Sequence, residues 1–121
     1  MKPRVKPRIQ FRLRITRGDT IAIGPGKIAL LEAIAKTGSI SAAARGMGMS
    51  YRRAWLLVDE MNRALASPVV DTAAGGAQGG GTLLTPSGEK VVALYRRVEA
   101  LSAKAAEAEL KSLIKLLAKI K

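Results

Sequence analysis

Between Thr37 and Tyr51 the chain reads "GSISAAARGMGMS", and no regular element can run through that stretch. Glycine readily takes the left-handed backbone that ends helices, and serine caps helix starts. Here glycines stand at 38, 46 and 48, and serines at 39, 41 and 50. The flanks have helical periodicity. Lys27–Thr37 places Ile28, Leu31, Ile34 and Ala35 at helical spacing, and about Tyr51 to Leu65 sets Trp55, Val58, Met61 and Leu65 near one face. The spacing therefore predicts a helix, a short second helix through Ala42–Arg45 capped by Ser39 or Ser41, a tight glycine-bearing turn, and a third helix capped by Ser50. Trp55 is expected to be a core anchor facing the first helix, with Arg52, Arg53 and Asp59 largely on other faces.

Residues 1–8 are basic and proline-spaced, and read as a loose tail. Ile9, Phe11, Leu13 and Ile15 then alternate with Gln10, Arg12, Arg14 and Thr16, which predicts a half-buried strand with one basic face. Arg17-Gly18-Asp19 is turn material, and Thr20–Ile23 returns as a second strand. Behind the third helix, Pro68 is a stop and Val69-Val70 reads as a short strand. A glycine-rich loop follows, with five glycines among the seven residues from Gly75 to Gly81, and Leu83-Leu84 reads as the returning strand. The loop lacks the Gly-Lys-Ser/Thr ending and the strand-to-helix setting of a nucleotide-binding loop.

Thr85-Pro86-Ser87 is a helix start, with Thr85 or Ser87 as cap. From Glu89 to Lys121 there is neither proline nor glycine. That predicts a helix of roughly 30 residues, about 45–50 Å long, which no small domain buries completely. Its apolar positions run Val91, Leu94, Val98, Leu101, Ala105, then Leu110, Leu113, Leu117 and Ile120. The spacing slips by one residue between the halves, so a kink, a break or a change of packing partner is expected near Ala105–Ala108.

The organisation is thus a basic tail at 1–8, a core at 9–85 and a long C-terminal helix at 86–121. The fold class is mainly α with small β: a winged helix-turn-helix with an N-terminal β-hairpin. Composition narrows the chemistry. The 121 residues include no cysteine and no histidine, which removes disulfides, thiolate sites, the commonest metal ligand and the usual general base. No enzyme, cofactor or metal site is expected. There is no signal peptide and no run approaching the ~20 apolar residues of a membrane span, so a cytoplasmic, nucleoid-associated protein is expected. Lys and Arg number 21 against 9 Asp and Glu, a formal net charge of +12. Small soluble proteins usually carry a magnitude of ~2–8, and such an excess attracts polyanions.

These features converge on double-stranded DNA. In a helix-turn-helix the first turn of the recognition helix enters the major groove, where arginine donates two hydrogen bonds to guanine or binds phosphate. Ser50, Tyr51, Arg52 and Arg53 are the groove candidates. Ser39, Ser41 and Arg45 on the preceding helix, and Gly79 and Gly80 at the wing tip, are the backbone candidates. The long helix would pair two copies into a homodimer. The alternative is a nonspecific architectural protein that coats DNA by charge, favoured by the basic tail and the Arg8, Arg12 and Arg14 strand face. Membrane-surface binding by the amphipathic "LKSLIKLLAKIK" is the least favoured reading.

The stretch "LLEAIAKTGSISAAARGMGMSYRRAWLLVDEMN", the Val-Val strand and "GGAQGGGTLLTPSGEKVVALYRRVEA" together resemble the N-terminal winged-helix domain of the ModE family of molybdenum-dependent regulators, and more distantly the LysR-type DNA-binding domain. The similarity covers about Lys27 to Ala100. It implies a homodimeric DNA-binding protein with its helix-turn-helix at about Ser39–Asn62, its recognition start at Ser50–Arg53 and its wing at Gly75–Gly81. Members of that family sense molybdate with C-terminal modules. No such module follows in these 121 residues, and molybdate sensing is not expected of them.

Overall fold

In the computed structural model, which describes residues 5–72 and 81–119, Gly24 and Pro25 decide where the first helix begins. Gly24 is extended (φ −165°) and Pro25 opens the helix, where its missing N–H costs nothing. This helix, α1 (Pro25–Thr37), stops at Gly38, whose φ of 70° is left-handed and whose N–H donates to Ile34 O at 2.7 Å. Helix α2 (Ile40–Gly46) and helix α3 (Tyr51–Ala64) follow, then strands β3 (Val70–Asp71) and β4 (Leu83–Leu84), paired antiparallel. Ahead of α1, strands β1 (Ile15–Arg17) and β2 (Thr20–Ile23) form a second antiparallel pair.

Helix α1 is the centre of the fold. It buries Ile28, Leu30, Leu31 and Ile34 at 1% exposure or less, on more than one side, because α2, α3, β4 and the next helix, α4 (Pro86–Ala105), all pack on it. The rest of the core is Ile40, Ala43 and Ala44 of α2, Ala54, Val58 and Met61 of α3, Val69 and Val70 at the wing base, and Tyr95. Ala43 and Ala44 bring α2 close to α3, as their small size predicts. This is the winged helix-turn-helix architecture expected from the sequence.

Three expectations need correction. The N-terminal ladder is only three residues long, pairing Ile15 with Ile23, Thr16 with Ile21 and Arg17 with Thr20, with an irregularity between Ile15 and Thr16. Residues 9–14 have no strand partner, since β2 ends where Gly24 and Pro25 start α1 and offers no further backbone. The whole of β1 is exposed, Ile15 at 49%, so it is not the half-buried strand predicted. The alternation survives one turn earlier: Leu13 packs on the core, and the Tyr95 hydroxyl donates to its carbonyl at 2.8 Å.

Trp55 is 45% exposed and is not a core anchor. The buried stripe of α3 is Ala54, Val58 and Met61, and Trp55 lies one residue, about 100°, round the helix from Ala54.

The C-terminal helix is shorter than the roughly 30 residues expected, and of the three outcomes expected near Ala105–Ala108 it shows the break. Helix α4 (Pro86–Ala105) and helix α5 (Glu107–Lys115) meet at Ala106, which has φ −101° and ψ 15°. The break falls where the apolar spacing slips. Helix α5 buries nothing and ends at Lys115, short of the expected Lys121.

Candidate nucleic-acid interface

Serine chemistry sets both helix starts. The Ser39 hydroxyl accepts from Ala42 N at 3.1 Å and caps α2, whereas Ser41 sits exposed inside the helix and caps nothing. The turn after α2 closes by Met47 N and Met49 N donating to Ala44 O at 3.1 and 3.0 Å, with Gly48 left-handed at φ 69°. Ser50 Oγ then accepts from Arg53 N at 3.1 Å and starts α3. The first turn of α3 contains no acidic residue, so the positive end of its dipole stays open to an anion.

That first turn is presented outward. Tyr51 is 55% exposed, Arg52 and Arg53 are exposed, and Trp55 and Leu56 extend the same outer surface at 45% and 46%. Among the described residues, neither Arg52 nor Arg53 carries an ion pair. Further along, Arg63 pairs with Asp59 at 2.9 Å, which removes a cation from the distal part of the helix. The structure therefore groups Ser50, Tyr51, Arg52 and Arg53. Arg45 is exposed near the end of α2, close in sequence to that turn. Ser39 and Ser41 lie toward the other end of α2, about 9 and 6 Å along its axis from Arg45. Gly79 and Gly80 lie outside the described residues.

The wing base is fixed to this unit at two points. Asn62 Oδ1 accepts from Val69 N at 2.8 Å and Val70 N at 3.3 Å, and its Nδ2 donates to Val70 O at 3.3 Å. Thr82 N donates to Gly38 O at 2.7 Å, joining the returning strand to the turn between α1 and α2. Thr85 closes the wing into α4: its hydroxyl donates to Pro68 O at 2.6 Å and accepts from Gly88 N at 3.0 Å. On the opposite flank, buried Lys27 donates to Ile21 O of β2 and pairs with Glu60 of α3 at 3.2 Å.

Sequence reasoning missed Lys27 and the outward Trp55 and Leu56. The Ala54–Val58–Met61 spacing carried the signal for the last two; for Lys27 no local signal exists, because its partners come from β2 and α3.

The sequence pattern of the bacterial regulatory helix-turn-helix proteins, LysR family, matches residues 26–89, from the start of α1 into α4. The chain belongs to that family. Its curated relatives include the molybdenum-pterin-binding protein MopB of Rhodobacter capsulatus, 56% identical over 82 residues, covering 68% of this chain and 30% of that protein. The DNA-binding transcriptional dual regulator ModE of Escherichia coli K12 is 41% identical over 81 residues, covering 67% of this chain and 31% of that protein. The resemblance to ModE proteins is thereby borne out. This LysR-family chain spans about a third of the length of the relatives it matches. Among solved structures, the CbnR DNA-binding domain in its DNA complex shares the fold, with a TM-score of 0.56 at 17% identity, over 73% of this chain and 95% of that one.

Proposed function

We propose that this chain is a sequence-specific DNA-binding transcriptional regulator that acts as a homodimer. The observation that carries the reading is the first turn of α3, where unpaired Arg52 and Arg53 stand exposed beside Tyr51 on a serine-capped helix end. A helix in that setting reads the major groove with its N-terminal residues. The +12 charge supplies the nonspecific attraction on which such readout is superimposed. The DNA-binding description of the ModE relative and the family's regulatory role favour the same reading.

The homodimer rests on α4. Leu94, Val98 and Leu101 recur at helical spacing and are 53%, 43% and 53% exposed, an apolar row suited to a second copy. Two recognition helices held ~34–36 Å apart would read a roughly palindromic site.

Selection of bound genomic fragments at ~150 mM salt, where nonspecific phosphate binding is already weakened, tests the proposal. The expected result is a few sites that share an inverted repeat. Fragments recovered in proportion to abundance would replace it with the second reading, an architectural binder, which the exposed Arg8, Arg12 and Arg14 favour.

A further inference from the structure

The segment ahead of the β1–β2 hairpin has no role in the helix-turn-helix, yet it is held in a defined place. Tyr95 is 4% exposed, and its hydroxyl fastens the Leu13 carbonyl at 2.8 Å. Leu13 packs on the core, and Arg12 and Arg14 flank it, both exposed. These two arginines line a cleft of about 800 Å³ together with the start of α3, which contributes Ser50, Arg52 and Arg53. The cleft collects five cations, Arg12, Arg14, Lys27, Arg52 and Arg53, against two carboxylates, Asp19 and Glu60. Glu60 is already paired with Lys27. Among the described residues the four arginines carry no ion pair. With Glu60 taken by Lys27, Asp19 is the one carboxylate left against four guanidiniums, so the cleft carries a net positive field that attracts an anion.

We infer that Arg12 and Arg14 form a second jaw that grips the DNA backbone as it passes the start of α3, so the phosphate strand beside the major groove runs through this cleft. The inference rests on the DNA-binding reading above. If α3 enters the groove by its N-terminus, a flanking backbone runs next to that N-terminus, and the cleft adjoins it. The jaw contacts phosphates rather than bases, so it raises affinity for any sequence and adds register, not specificity. Tyr95 is a positioning residue here: it touches Leu13 and thereby sets where the two arginines stand.

The test is the salt dependence of binding to a random-sequence duplex of ~30 base pairs, read by fluorescence anisotropy. Each phosphate contact contributes about 0.9 to the slope of log affinity against log salt. The double variant R12A/R14A should flatten the slope by about 1.8 and bind roughly 10–30-fold more weakly at ~150 mM salt. R12Q/R14Q should do the same, which separates lost charge from lost side-chain bulk, and R12K/R14K should keep the wild-type slope. Tyr95→Phe should weaken binding without removing a charge. A wild-type slope in both neutral double variants, with R52A/R53A still impaired, overturns the jaw and leaves the DNA-binding reading intact. A wild-type protein that binds no duplex overturns both. Thermal melting accompanies each variant; Arg12 and Arg14 are exposed, so their melts should match wild type.

Discussion

Among the described glycines, Gly81 and Gly88 have the least room for a side chain. A Cβ on Gly81 would run into the Gly38 carbonyl, and one on Gly88 into the Val69 carbonyl. Both obstacles are backbone, which cannot rotate away. Gly88→Ala should therefore destabilise the fold, although alanine favours a helix over glycine by about 1 kcal/mol. Gly81→Ala should cost about 1–3 kcal/mol, in the range of other overpacked sites. Urea denaturation measures both, and a more stable Gly88→Ala would refute the close approach of α4 to the wing base. Trp55 gives a second contrast. Met61→Ala, at a site 1% exposed, should cost about 2–5 kcal/mol, whereas Trp55→Ala should cost much less. Equal losses would mean that Trp55 belongs to the core after all. The sequence made Trp55 look internal because tryptophan is apolar and lies three residues before Val58. The competing Ala54–Val58–Met61 spacing was also in the sequence, and the packing of that stripe shows that it is the inward one.

At the scale of elements, α4 is tied to α1 by charge. Arg96 donates to Glu32 by Nε at 2.9 Å and by an Nη at 2.5 Å, and to Glu99 at 2.7 Å. The hydrogen bond from Arg96 holds the Glu32 carboxyl below the usual carboxylate range, against the opposing effect of its burial, with the charge of Arg96 adding to the lowering. A carboxyl whose folded-state pKa is depressed contributes stability above its unfolded pKa and loses it as pH falls through the folded one. Wild type should thus lose stability partly through this pair as pH falls below the ordinary glutamate range of about 4.3, and Glu32→Gln should show a shallower acid limb with a lower plateau at pH 7. Chemical denaturation at stepped pH checks this; parallel acid limbs would show that the pair does not couple to folding. The cap of α3 belongs to the same scale. Ser50→Ala removes the acceptor of Arg53 N and should cost about 1 kcal/mol. Element order was legible because glycine, proline and serine punctuate it. The length of the N-terminal ladder was not, since residues 9–14 alternate correctly but β2 ends before it can pair with them.

For the whole molecule, the surface left open for a partner is the row Leu94, Val98 and Leu101, exposed on α4 and set roughly 60–120° round the helix from the buried Tyr95. Pairing two copies along that row predicts that L94D/L101D is monomeric in sedimentation equilibrium at low micromolar concentration. Its affinity for an inverted-repeat site should fall while each half-site is still bound. A persistent dimer would move the interface elsewhere, to α5 or the N-terminal hairpin. The sequence by itself determined the order of the helices, the Ser50 cap, the slip that becomes the break at Ala106 and the basic first turn of α3. These are local: each depends on backbone preference or periodicity within a few residues. The tertiary structure alone decided the buried Lys27 between β2 and α3, the backbone contacts at Gly81 and Gly88, and the gathering of Arg12 and Arg14 round one cleft with Arg52 and Arg53. Those join residues tens of positions apart, and no local periodicity encodes which distant surface a side chain will meet.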